Sequence, residues 1–197
     1  MATGSPPGIF LTGGAVGTRE RLLETGAVLF AEKGFHGVGV EELGASVGLT
    51  GPAIYRHFRT KSALLAEMLI RVSESLLAGA TELQAEMLSP EARLSALIER
   101  HVAFAFAHPA LIKVQERDFA NLAEADARQV RRLQRRYVEL WGEQILLVNP
   151  GASVEDARTM AHAIFGMLNS TPRLKPGQRR DETAVIMRNL ASKALLP

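Results

Sequence analysis

A short helical run over residues 40–47 is followed, after only Gly48-Leu49-Thr50, by a second short run that ends at Phe58. No other feature constrains the chain as much. Two short helices joined by a tight, glycine-containing turn form a helix-turn-helix pattern. Leu43, Val47, Leu49, Ile54 and Phe58 are spaced to build a miniature core between them. Thr50, Gly51, Ala53, Arg56 and His57 are then left to face outward on the second run, for which Thr50 is an N-cap candidate.

The surrounding sequence is helical as well. Ala, Leu, Arg and Glu are common and aromatic residues are sparse, a balance that favours helices because straight-chain side chains lose little rotamer freedom there. Residues 1–17 are rich in Gly, Pro, Ser and Thr and read as a flexible arm. Thr18 is placed as the cap of a first helix whose apolar face includes Leu22, Leu23, Val28, Leu29 and Phe30, and Gly34 sits where a left-handed terminating residue is wanted. Lys61 opens a longer helix. Beyond Ser89-Pro90, helical patterns cover residues 91–107, 109–121, 124–147 and, capped by Ser153, 154–168. After a Pro/Gly loop at 172–177, Asp181 is placed as the cap of a last helix reaching residue 195. No strand pattern competes with these assignments. The fold class is all-α, with a three-helix head over 18–63 and a larger helical part over 64–197.

With no cysteine, the chain carries no disulfide and no thiolate chemistry. It shows neither a bilayer-spanning run nor a secretory leader, so a cytoplasmic location and no membrane partner are expected. Net charge is only +2, so nucleic-acid affinity has to come from locally placed cations.

Residues 34–64 supply such a place. The small residues Gly51, Pro52 and Ala53 open the second run, as close approach to base edges in a major groove requires. Tyr55, Arg56, His57 and Lys61 flank it with polar or cationic groups suited to phosphate. In order and spacing, Gly34-Phe35, Glu42-Leu43, Gly48-Leu49-Thr50, Ile54-Tyr55-x-His57-Phe58 and Lys61-x-x-Leu64 resemble the N-terminal domain of the tetracycline-repressor (TetR) family. The resemblance covers about residues 18–65. It implies that Thr50, Tyr55, His57 and Lys61 meet phosphates and that Gly51, Pro52 and Ala53 lie nearest the bases of a double-stranded operator. Two positions depart from the family pattern. Gly39 stands where a capping, phosphate-touching Ser or Thr is usual, and Gly44 replaces a usual Ala, at a helix cost of about 1 kcal/mol.

The resemblance also implies a homodimer closed by the last two helices, which carry apolar seams of Ala157, Met160, Ala161, Ile164, Phe165 and Leu168, and of Val185, Ile186, Leu190, Ala191, Ala194 and Leu195. The alternative is that these seams pack within one chain. A small-molecule effector is expected among the central helices, where His101, Phe104, His108, Phe119, Tyr137, Trp141, Gln144 and Phe165 form a mixed aromatic and polar set. The same set would serve as ordinary core. His101 and His108 lack the carboxylates or cysteines that would complete a metal site, and no cofactor is expected. Arg128, Arg131, Arg132, Arg135 and Arg136 read as a solvated helix face alongside Glu124 and Glu139, with an anion-holding entrance for a fatty acyl or acyl-thioester ligand as the sharper alternative. No catalytic constellation appears, so an enzyme is not expected. The rival to a DNA-binding regulator is a helical dimer that binds small molecules and has lost specific DNA binding, for which Gly39 is the one hint.

Overall fold

The computed structural model describes residues 17–174 and 179–196, all helix and connecting turn. The proposed arm, apart from Gly17, and part of the Pro/Gly loop lie outside the described residues. The α-helices are α1 (Thr18–Lys33), α2 (Val40–Ser46), α3 (Lys61–Ala85), α4 (Pro90–Ala107), α5 (Pro109–Asp118), α6 (Glu124–Val148), α7 (Val154–Leu168) and α8 (Arg180–Leu195). The chain forms two compact units. Among the described residues, the first holds 17–74 and 110–131, and the second holds 75–109, 132–174 and 179–196. Both α3 and α6 therefore contribute residues to each unit.

In the first unit α1 buries Leu22, Leu23, Ala27, Phe30 and Ala31, and α3 buries Leu64, Leu65, Met68, Leu69 and Val72. Leu43, Val47, Ile54 and Phe58 are buried as the expected miniature core, with Leu49 half-buried. Removing such side chains from water is the main term holding two short helices in place, since neither is long enough to persist alone. From α5 the unit gains Leu111, Ile112 and Val114.

The second unit is built on α4, α7 and α8, which pack on one another. Its core gathers Leu94, Leu97, Ile98, Leu140, Trp141, Ile145, Ala157, Ala161, Leu168, Ala191 and Leu195. Ser153 caps α7 in a capping box: its hydroxyl accepts from the Asp156 amide at 3.1 Å, while Asp156 accepts from the Ser153 amide at 3.0 Å.

Several local expectations need correction. Thr18 is already helical, and Gly17, with no side chain to bond, stands at the N-cap. Asp181 lies in the first turn of α8 behind Arg179, where its charge suits the helix dipole without capping it. The second run of the helix-turn-helix is a 3₁₀ helix, Gly51–Arg56, preceded by Thr50, whose hydroxyl makes no capping bond. It opens with the Ala53 amide donating to the Thr50 carbonyl at 2.9 Å, the tight i to i+3 bond of that helix type. Gly34 does end α1 with a positive φ of 82°, and Gly48 turns the chain at 77°.

Gly44 has a steric cause. Its carbonyl accepts from the Leu49 amide at 2.8 Å, so the turn folds back directly onto α2. A Cβ at Gly44 would lie 2.8 Å from the Leu49 carbonyl oxygen and 3.1 Å from Thr50 backbone atoms. These are backbone atoms of the turn itself and cannot swing aside. Gly44→Ala should therefore destabilise the chain by about 1–3 kcal/mol despite the better helix former. A urea titration that showed Gly44→Ala as stable as the parent would mean that the turn yields.

Candidate nucleic-acid interface and effector core

The 3₁₀ helix divides its side chains cleanly. Ile54 and, just beyond, Phe58 point into the head, whereas Thr50, Pro52, Tyr55 and Arg56 are exposed, Tyr55 by 56%. A phenol held that far into water with no buried neighbour to satisfy is available to a partner. Gly51, Ala53 and His57 are half-buried. Gly51 sits against α2, since a Cβ there would come within 2.9 Å of Glu41 Cγ. Its missing side chain thus serves the approach of the two helices to each other.

Lys61 is tied internally. Its ammonium donates to the Phe35 carbonyl at 2.6 Å and the Val38 carbonyl at 2.7 Å, and stands 4.5 Å from the Phe35 ring centroid. Two of its three N–H donors are thereby used. On the other side of the head, Arg19 donates to the His57 carbonyl, bonds both carboxylate oxygens of Glu67 and lies 4.3 Å from the Phe58 ring centroid. Glu67 in turn pairs with Arg71 at 2.8 Å. Sequence pattern gave no reason to single out Arg19. Its position in a first helical turn, with a carboxylate on a distant helix, is a tertiary match.

In the second unit the structure brings together His101, Phe104, His108, Tyr137, Trp141 and Phe165. Ring centroids are 4.8 Å apart for Trp141 and Phe165, 4.9 Å for His101 and Phe165, and 5.7 Å for Phe104 and His108. His101 is buried at the centre. Its Nε2–H donates to Asn169 Oδ1 at 3.0 Å, which leaves Nδ1 to accept from the Tyr137 hydroxyl at 3.1 Å. The buried Trp141 indole N–H makes no hydrogen bond of normal geometry, although it lies near enough to the Tyr137 hydroxyl to favour its ionised form. Gln144 accepts from Arg93 at 3.2 Å. Phe119 belongs to the first unit, with Arg131 5.2 Å from its ring centroid. Asn169, which completes the polar bonds of His101, is the residue sequence reasoning missed; at the end of a helical pattern it reads only as a terminator.

The arginine run divides. Arg128 and Arg131 both reach Glu124, and Arg136 bonds Glu139 and Glu143. Arg132 and Arg135 are exposed and unpaired among the described residues. The seams of the last helices mostly serve the chain's own core: Ala157, Ala161, Ile164, Leu168, Ala191 and Leu195 are buried, whereas Val185, Ile186 and Leu190 are 45%, 56% and 51% exposed. No described helix is long and apolar enough to cross a membrane.

A helix-turn-helix head with a second helical unit that has its own core is an arrangement that DNA-binding regulators use. Residues 22–68 match the family of bacterial regulatory proteins, tetR family, and residues 87–173 match the tetracyclin repressor-like C-terminal domain. The chain belongs to the TetR family of transcriptional regulators. It is 28% identical over 138 residues to the HTH-type transcriptional repressor KstR2 of Rhodococcus jostii, covering 70% of this chain and 68% of that protein. Its fold is similar to that of the ketosteroid transcriptional regulator KstR2 of Mycobacterium tuberculosis, with a TM-score of 0.80 at 18% identity over 94% of this chain and 98% of the other. It is also similar to AibR, solved with isovaleryl coenzyme A and operator DNA, with a TM-score of 0.74 at 19% identity over 88% of this chain and 97% of that one.

Burial lowers the His101 imidazole from its ordinary 6.5 to about 4, because desolvation disfavours the charged ring. A folded value below the unfolded one means that the stability tied to neutral His101 is whole above 6.5 and is lost as pH falls through that window. Between about pH 7 and about pH 5 the chain should lose about 2 kcal/mol. His108 is lowered in the same direction by burial and adds to the slope. His101→Gln, which keeps partners for Tyr137 and Asn169, should flatten the dependence in urea titrations at the two pH values. An unchanged slope in the variant would show that the imidazole ionises freely in the folded protein.

Proposed function

We propose that this regulator is a homodimer that binds a palindromic operator through residues 18–63 and represses transcription until a small, largely apolar effector binds within residues 64–197. The observation that carries the DNA reading is the exposed set Thr50, Pro52, Tyr55 and Arg56 on a helix whose other side is locked into the head by Ile54 and Phe58. Such a surface presents side chains to a groove while the scaffold beneath stays rigid. Gly51, Ala53, His57 and the remaining donor of Lys61 complete the proposed contact set.

The effector reading rests on the aromatic cluster around His101. Neutral His101, the Tyr137 hydroxyl and the Trp141 indole are uncharged polar groups set among aromatic rings, which suits a ligand that is mostly hydrocarbon. A repressor relative with a ketosteroid regulator as its structural counterpart, and a fold relative holding isovaleryl coenzyme A, support an apolar or acyl ligand. For an acyl thioester, the unpaired Arg132 and Arg135 would supply the cations for its phosphates. Arg132→Gln with Arg135→Gln should then weaken an acyl thioester while sparing an uncharged ligand. Because α3 begins at Lys61 and runs to Ala85 as one helix, a shift of its far half reaches the head directly. Release needs an effector that prefers the released state by several kcal/mol.

The dimer would form on the exposed side of α8 at Val185, Ile186 and Leu190, together with the exposed Ala163 and Gly166 of α7. Selection of genomic fragments by the purified protein at moderate salt should enrich one palindrome. Ile186→Glu combined with Leu190→Glu alters only exposed positions, so the chain should stay folded, sediment as a monomer and lose the palindrome. A variant that still sediments as a dimer would remove this face from consideration, and failure of the parent to enrich any fragment would count against DNA binding itself.

A further inference from the structure

Asp118, 4% exposed, is the one buried carboxylate among the described residues, and it ends α5. Its Oδ1 accepts from the Phe35 amide at 3.3 Å and from Arg117 Nε at 3.1 Å, and its Oδ2 accepts from Arg117 Nη2 at 3.0 Å. Arg117 spends further donors on the end of α1, bonding the carbonyls of Phe30 and, at 3.4 Å, Ala31. Its guanidinium passes beside Gly34, 3.7 Å from where a Cβ would stand. Two adjacent residues of α5 thus hold the last carbonyls of α1, the positive-φ glycine and the first amide beyond it.

The segment they grip leads straight into the helix-turn-helix. Phe35 and Val38 give their carbonyls to Lys61 at the start of α3, and Gly39 opens α2 without any side-chain cap. The loop over residues 34–38 is therefore pinned by α5 from one side and by α3 from the other, and these ties set the direction in which α2 leaves it. A buried carboxylate is expensive unless paired, and an apolar plug could fill the same space at less cost. What the fork-shaped guanidinium and the carboxylate add is fixed distance and angle.

We propose that Arg117 and Asp118 are positioning residues for DNA recognition, setting through the 34–38 loop the angle at which α2 and the Gly51–Arg56 helix meet the operator. The backbone runs from His108, whose ring touches Phe104, through Pro109 directly into α5. This inference rests on the DNA reading above.

The test uses the full-length protein with the selected palindrome. Arg117→Met keeps the aliphatic stem but leaves Asp118 with only the Phe35 amide, and Arg117→Lys keeps the charge but not the fork; exchange at Leu23 and Ala27 shows that each variant is folded. Each should weaken operator binding about 10-fold, while the dependence of affinity on salt stays that of the parent. In DNA-free protein, amide exchange should accelerate at residues 35–38 and remain unchanged at Leu23 and Ala27. Operator affinity within about 2-fold of the parent in both variants would overturn the proposal. So would a salt slope lower by about 0.9 in Arg117→Met, because Arg117 would then be a phosphate contact. Faster exchange throughout α1 would reduce the pair to general stabilisation and overturn it as well. Exchange needs no DNA, so a parent that selects no fragment would count against the proposed function, while exchange at residues 35–38 still decides whether the pair orders that loop.

Discussion

The head of this protein depends on one ammonium group. Lys61 gathers the carbonyls of Phe35 and Val38 at the first turn of α3 and rests beside the Phe35 ring. Carbonyls in a loop that leaves water need donors, and a single flexible side chain satisfies two of them while joining the end of α1 to the start of α3. The apolar core beneath supplies most of the stabilisation but is non-directional. Direction comes from the polar ties: Lys61 and Asp118 on the loop, and Arg19 on the carbonyl of His57. The helix-turn-helix is held by bonds to backbone on both of its flanks, which leaves the exposed side chains of the 3₁₀ helix free of structural duties.

The second unit follows a different rule. Its polar groups are held in neutral form in the midst of aromatic rings. His101 donates to Asn169 and accepts from Tyr137, a set that is complete only while the imidazole carries one proton. Burial raises the Tyr137 phenol above its ordinary range for the same reason that it lowers His101. Within this cluster the charged form of either ring would lose hydration that no other group restores.

Helix periodicity made the helical elements legible from sequence to within a residue or so at most ends, because long amphipathic faces such as those of α3 and α7 leave a strong 3.6-residue signal. The helix-turn-helix was legible through its turn glycine and the spacing of Leu43, Val47, Ile54 and Phe58. What was not legible is what depends on pairing across the chain. Thr18 and Asp181 have the chemistry of caps, yet each falls inside its helix. Gly44 looked like a weak helix residue until the carbonyl of Leu49 was seen against it. Arg19, Arg117 and Asp118 lie on surface-like positions of their own helices, and only tertiary structure reveals what each one holds. The aromatic residues around His101 were recognisable as a set, but Asn169 carried no signal because its partner is 68 residues away.

The two contact glycines of the head bear on how its sequence can drift. Gly44 is occupied by the Leu49 carbonyl, and Gly51 lies against Glu41. A side chain at position 44 would require the turn backbone to move, and one at position 51 would require Glu41 to give way, so the turn and both helices constrain one another. Thr50, Pro52, Tyr55 and Arg56 face water and carry no such obligation. Substitutions at those four positions therefore leave the frame unaltered, whereas an alanine at position 44 would distort it.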